Sequence, residues 1–111
     1  MSGKSKRARA CDITAKTKAM VWERDKGQCV VCGCAQAAPN AHYIPRSQGG
    51  LGVEENIVTL CTNFAPNQCH YQYDFGGSRE RKRIGGLIKQ HLKSHYPHWN
   101  EEDLIYRKYK A

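Results

Sequence analysis

This chain of 111 residues lacks a long apolar run. No stretch is long enough to span a bilayer, and no apolar segment follows the basic N-terminus as it would in a secretory signal. No part of the chain combines a basic face with the broad apolar face that binding to a lipid surface requires. The sequence therefore predicts a cytoplasmic protein with no membrane partner.

Acidic residues are also scarce. The chain has 10 Asp and Glu against 18 Lys and Arg, which gives a net charge of +8 with neutral histidines. An excess of this size favours an anionic partner, and nucleic acid is the commonest large one. The length predicts a single domain with a modest core, which a structural metal would help to stabilise.

Cysteine, in contrast, is abundant, with six residues. In the absence of a secretory signal, a C-x-x-C spacing favours metal thiolates over disulfides, although a secreted disulfide-bonded basic protein is an alternative. Four thiolates satisfy zinc completely and leave no position for water, so the zinc would be structural. The second spacing is wider than usual, and Cys34 or His70 could replace a cysteine that fails to bind. The proposed ligands are Cys29, Cys32, Cys61 and Cys69.

The remaining pattern predicts an α+β domain. Residues 1–12 are interpreted as a flexible basic tail and residues 13–111 as one domain. A helix is expected over residues 14–26, with Trp22 as a core anchor. Short strands are expected over residues 41–44 and near residues 57–61. Further helices are predicted over residues 69–75, from about residue 79 until Pro97, and over residues 100–109.

The segment between the cysteine pairs carries residues suited to phosphodiester hydrolysis. His42 is a candidate general base, because imidazole titrates near neutral pH. His70 and Asp74 are four residues apart on a predicted helix, so they share a face on which a divalent ion could bind. The amide of Asn56 could brace the loop that follows His42. His91, His95 and His98 lack such a context, and we interpret them as ordinary helix or turn residues.

The combined pattern resembles the HNH endonuclease family, especially its small cysteine-bearing phage and bacterial members. The matching segments are CVVC at 29–32, AHYIPRSQGG at 41–50, ENIVTLC at 55–61 and CH at 69–70. The resemblance implies a ββα-metal (His-Me finger) fold that cleaves DNA with one catalytic divalent ion, such as Mg²⁺, Mn²⁺, Ni²⁺ or Zn²⁺. It implies that His42 is the general base, Asn56 the structural asparagine and His70 a metal ligand.

One position departs from the family pattern. Many members have Asp or His directly before the base, as a second metal ligand, whereas this chain has Ala41. Asp74 or Asn40 could complete the site instead. In an alternative registration, His42 is the ligand and Tyr43 takes the position of the base.

Basic residues near these motifs predict contacts with the DNA backbone. They are Arg46, beside the proposed base, and the cluster Arg79, Arg81, Lys82 and Arg83. No additional DNA-reading module is evident, so the protein is expected to nick DNA, or to cleave both strands, with low sequence specificity. The resemblance also suggests phage terminase subunits as partners. The sequence does not distinguish a monomer from a dimer. The alternative function is a non-catalytic zinc-containing module that binds nucleic acid.

Overall fold

Two short antiparallel strands form the centre of the molecule. A computed structural model describes residues 5–107, and it confirms an α+β architecture. The strands are preceded by two helices and followed by two more, and two short 3₁₀ turns lie at Arg46–Gln48 and Glu101–Leu104. In chain order, the elements are α1 (Lys6–Cys11), α2 (Ala15–Arg24), β1 (Ala37–His42), β2 (Ile57–Cys61), α3 (Cys69–Phe75) and α4 (Ser78–His95).

The strand β2 lies where its apolar sequence predicts, and all five of its residues are buried. The strand β1 differs from the prediction, because it begins at Ala37 and ends at His42 rather than continuing to Ile44. The ladder ends there because the side chain of Asn56 bonds to both the N–H and the carbonyl of Ile44. Beyond the last residue pair, His42 with Ile57, the Tyr43 N–H still donates to the backbone carbonyl of Asn56 at 2.8 Å, and the Asn56 side chain replaces the strand partner at Ile44.

The first long helix, α2, agrees with the prediction but buries a different side chain. Thr14 caps it by accepting a hydrogen bond from the backbone N–H of Thr17, at 3.1 Å. The interpretation of Trp22 as a core anchor is wrong, since 41% of Trp22 is exposed while Val21 is fully buried. The face of α2 that packs against the core therefore carries Val21 and not Trp22.

The last long helix, α4, covers the sheet with an apolar stripe. Ile84, Ile88 and Leu92 are four residues apart, so they share one face, and each is fully buried. Burying a side chain of this size contributes about 1.5–3 kcal/mol. Even this longest helix carries many charges, and within residues 5–107 no helix is long and apolar enough to cross a membrane.

Both ends of the described chain differ from the sequence prediction. Residues 6–11 form α1 instead of a flexible tail, with Ser5 as its N-cap and Cys11 buried. The carbonyl of Ala10 accepts a hydrogen bond from the Gly52 N–H at 2.9 Å, which holds the end of this short basic helix against the loop. At the other end, the described part of the predicted helix over residues 100–109, which is residues 100–107, contains the short turn Glu101–Leu104. Residues 1–4 and 108–111 lie outside the described residues.

Candidate functional site

The four predicted cysteine ligands form one cluster. Their sulfur atoms all lie within 4.8 Å of one another, and the Sγ atoms of Cys32 and Cys61 are 3.7 Å apart. Ligands around one tetrahedral ion with metal–sulfur bonds near 2.3 Å are separated by about 3.8 Å. The cluster therefore fits a single metal ion. Cys34 does not belong to it, and all six cysteines are free thiols, so no disulfide links them.

Backbone N–H groups surround two of these sulfurs, as they do around metal-bound thiolates. Backbone N–H groups of Val31 and Cys32 point at the sulfur of Cys29, at 3.4 and 3.5 Å. The N–H of Cys69 donates to the sulfur of Cys61 at 3.0 Å. Burial raises the pKa of the Cys61 and Cys69 thiols, because charged sulfurs are poorly solvated there. A dication would offset that cost, which is the donor chemistry of a structural metal site.

The cluster lies where β2 leads to α3. Cys61 is the last residue of β2, and Cys69 is the first residue of α3. A metal held by both would join the end of the strand to the start of the helix, across the wide insertion of residues 62–68. His70 directly follows Cys69, so the orientation of its side chain depends on this junction.

A cleft of about 820 Å³ lies beside the hairpin. Its walls come from the end of β1, the loop after it, α3 and the first turns of α4. Six of the predicted functional residues line the cleft, namely His42, Arg46, His70, Asp74, Arg81 and Lys82. Three others do not, namely Asn56, Arg79 and Arg83.

His42 is held by a hydrogen bond at one of its two ring nitrogens. Its Nε2 lies 2.8 Å from the backbone carbonyl oxygen of Cys11, at the end of α1. A carbonyl only accepts, so Nε2 carries the proton and Nδ1 keeps its lone pair. Burial and the nearby charges of Arg46 and His70 lower the pKa of His42, although the Cys11 carbonyl and Asp74 oppose the shift. The neutral ring required of a general base is therefore favoured at pH 7.

His70 and Asp74 meet on one face of α3, as their spacing predicts. The Nε2 of His70 lies 3.1 Å from Oδ2 of Asp74, and both side chains are partly exposed to the cleft. Two ligands in adjacent positions around an octahedral ion with bonds near 2.1 Å are about 3.0 Å apart. The pair can thus supply two donors to a divalent ion.

The other proposed ligand positions are not in the cleft. Ala41 is fully buried in the hydrophobic core opposite Val58, and it does not line the cleft. Asn40 is exposed on β1 and does not line the cleft. Tyr43 does line it, but its hydroxyl donates to Glu101, and burial together with this carboxylate raises the pKa of Tyr43. Such a phenol is poorly suited to act as a base.

Asn56 does not line the cleft, and both the oxygen and the nitrogen of its side-chain amide bond to the backbone of the loop after His42. Its Oδ1 accepts from the N–H of Ile44 at 2.8 Å. Its Nδ2 donates to the carbonyl oxygens of Ile44 and Leu51, at 3.1 and 2.8 Å. The loop is also tight at Gly50, where a Cβ would lie 1.6 Å from the Ile44 oxygen. Together these contacts set the path of the chain that leaves His42.

The predicted phosphate contacts fall into two groups. Arg81 and Lys82 line the cleft, and so does Arg46, although Arg46 is also paired with Asp12 at 2.9 Å. Arg79 lies outside the cleft, and Arg83 outside it forms an ion pair with Glu80 at 2.8 Å. Only the first group can meet a phosphate inside the cleft.

Two functional contacts escaped the sequence analysis. The C-terminal end of α1 supplies the Cys11 carbonyl, which receives both His42 and Arg46. A separate buried network joins α2, β2 and α4, because Asp25 accepts hydrogen bonds from the Thr59 N–H and from His91. His91 is therefore a structural partner and not an ordinary helix residue. No periodic pattern in the amino-acid sequence predicts either contact.

Comparison with known proteins gives one relevant match. No family model and no solved structure matches the chain. The chain is similar to Anaredoxin of Nostoc sp. (strain PCC 7120 / SAG 25.82 / UTEX 2576), with 34% identity over 62 residues. The aligned segment covers 55% of this chain and 75% of the relative. The chain therefore belongs to the same family as Anaredoxin.

Proposed function

We propose that the protein is a metal-dependent DNA endonuclease of the HNH type, built on a ββα-metal fold. The observation that carries this proposal is the cleft shared by His42, the His70–Asp74 pair and three basic side chains. The order of β1, β2 and α3 supports it, since β1 ends at His42, β2 pairs with β1, and α3 carries His70 and Asp74. The charge of the chain supports DNA as the partner.

Each group has a role in hydrolysis. The Nδ1 lone pair of His42 takes a proton from the attacking water. His70 and Asp74 would hold a divalent ion, which when bound stabilises negative charge on the phosphate and the leaving oxygen. Arg81 and Lys82 bind phosphates on either side of the cleaved bond. Cys29, Cys32, Cys61 and Cys69 would hold a structural zinc ion, which would join the end of β2 to the start of α3.

Cleavage of supercoiled plasmid tests this function. Wild type and His42→Ala are incubated with Mg²⁺, Mn²⁺, Ni²⁺, Zn²⁺ or EDTA. We expect metal-dependent nicking or linearisation by the wild type and a loss of at least about 100-fold in the variant, because the base is missing. His98→Ala is the matched control, since His98 is exposed and does not line the cleft. Equal cleavage by His42→Ala would refute the role of His42.

Burial of Ala41 favours a second candidate, a non-catalytic zinc module that binds DNA. The core position of Ala41 leaves only two donors from α3 facing the cleft, which weakens the case for a tightly bound catalytic ion. This candidate predicts salt-sensitive DNA binding and no cleavage with any of the five additions above. The same plasmid experiment therefore separates the two functions.

The relative favours a third candidate, a redox function, because its name is Anaredoxin. Four thiolates in a tetrahedral arrangement can hold iron as well as zinc, and iron can change its oxidation state. Elemental analysis of purified protein distinguishes these metals. About one zinc per chain and no visible absorption support the structural role, whereas about one iron with a reducible thiolate-to-iron absorption band supports the redox function.

A further inference from the structure

Two aromatic side chains on α3 are exposed beside each other. Tyr71 is 46% exposed and Phe75 is 74% exposed. They are four residues apart, and their ring centroids are 5.4 Å apart with a tilt of 45°. A single exposed aromatic residue is common on protein surfaces, but a paired set with this much free ring area is a binding feature more often.

The fold does not need these rings for its core. The helix α3 is anchored by Cys69, which is buried, and by Tyr73, whose hydroxyl donates to the carbonyl of Tyr43 at 2.6 Å. The ring of Tyr73 also packs against α4 at Gly85, where a Cβ would lie 3.2 Å from it. Tyr71 and Phe75 therefore remain available to a ligand.

The charges around Phe75 indicate the class of that ligand. Phe75 lines the cleft together with Arg46, Arg81 and Lys82. The two acids of the cleft are already engaged, because Asp74 contacts His70 and Glu101 receives the Tyr43 hydroxyl. An anionic chain that also carries flat apolar groups fits this surface, and a nucleic-acid strand has both.

We propose that the Tyr71–Phe75 pair is a stacking platform for an unpaired base of a DNA strand whose phosphates lie in the cleft. Paired bases in a duplex cover each other's faces, so only a base outside the stack can lie on the rings. The preferred substrate is then DNA with unpaired nucleotides, such as a single strand, a bulge or a junction. This inference rests on the proposed DNA function and specifies its substrate class.

Binding without added divalent metal tests the platform apart from cleavage. Full-length protein is titrated into three fluorescein-labelled DNAs, namely a 20-nucleotide single strand, its perfect duplex and the same duplex with a one-base 2-aminopurine bulge. We expect Phe75→Ala to weaken binding to the single strand and the bulge by about 10-fold, and binding to the duplex by less than about 2-fold. Quenching of 2-aminopurine by wild type should be lost in this variant.

Matched variants assign the effect to the ring. Phe75→Tyr keeps a stacking face and should retain both affinity and quenching. Phe64→Ala removes a ring that is 89% exposed but lies outside the cleft, and it should change neither. Circular dichroism and thermal unfolding of each variant check that the fold is kept.

The outcomes separate this inference from the proposed function. Equal weakening of all three DNAs by Phe75→Ala, or no weakening of any, overturns the stacking platform even where plasmid cleavage depends on His42. A change from dimer to monomer in sedimentation velocity, with DNA binding intact, also overturns it, because the rings then bind a second copy of the chain. If neither the wild type nor Arg81→Ala binds any of the three DNAs, the proposed function and this inference are both overturned.

Discussion

The cysteine cluster and the cleft share one hairpin, yet they differ in how complete they are. The cluster places four sulfur donors within 4.8 Å of one another, three of its four residues being buried. Among residues 5–107, the cleft brings together the His70–Asp74 pair as adjacent donors, both partly open to solvent. A complete set of ligands binds an ion as part of folding, whereas an incomplete set leaves room for water and substrate. This difference fits the proposed structural role of the cluster and the proposed catalytic role of the cleft.

The largest expected effect comes from breaking the cluster. Cys61→Ser removes a buried ligand that ends β2, so we expect loss of the bound metal and of the cooperative unfolding transition. Cys34→Ser is the matched control, because Cys34 is two residues from Cys32 but outside the cluster. Elemental analysis and thermal unfolding of both variants check this. Normal unfolding of Cys61→Ser without metal would show that the core alone stabilises the fold.

The sequence predicts the cluster and part of the cleft because their signals are local. Cysteine spacing identifies the four ligands, and the four-residue interval places His70 beside Asp74 on α3. The Cys11 carbonyl cannot be predicted in this way, since it meets His42 across 31 positions and belongs to α1, a segment whose composition predicts a flexible tail. Ala41 is similar, because only the register with Val58 shows that its side chain faces the core.

A second prediction tests why the cleft is incomplete. Ala41→Asp supplies the residue type that many HNH endonucleases carry directly before the base. Because Ala41 is fully buried, the new carboxylate would enter the apolar core and cost several kcal/mol of unfolding free energy. Asn40→Asp, on the exposed neighbouring position, should cost less than about 0.5 kcal/mol. Urea unfolding measures both, and a Mn²⁺ titration shows whether either gains metal affinity. Tighter Mn²⁺ binding by Ala41→Asp with unchanged stability would contradict the buried placement.

A third prediction concerns the network that supports β2 away from both sites. Burial opposes the charge of Asp25, but hydrogen bonds from His91, Arg24 and the Thr59 N–H outweigh it and hold the pKa of Asp25 well below its usual range. A lowered folded-state pKa contributes stability that is present above about pH 4 and is lost as the pH falls towards the folded value. Asp25→Asn should therefore cost about 3–5 kcal/mol at pH 7.

The pH dependence of that difference checks its origin. Urea unfolding of wild type and Asp25→Asn is compared at pH 7, 5, 4 and 3. Loss of metal from the cysteines in acid affects both proteins, so the comparison depends on their difference. That difference should narrow as the pH falls below about 4, where Asp25 begins to take up a proton in the unfolded wild type. A constant difference down to pH 3 would assign the loss to packing and not to charge.

The smallest expected effect is on the salt dependence of DNA binding, and it compares a basic residue inside the cleft with one outside it. Arg81 lines the cleft, whereas Arg83 lies outside it and is held by Glu80 at 2.8 Å. Each phosphate that a side chain neutralises contributes about 0.9 to the slope of log K against log salt concentration. Arg81→Ala should therefore reduce the slope by about one such contribution and Arg83→Ala by almost none. Fluorescence anisotropy at 50–200 mM KCl measures both slopes. Equal reductions would mean that DNA follows the whole basic face of α4, and the cleft would then not be the place where the phosphate backbone is held.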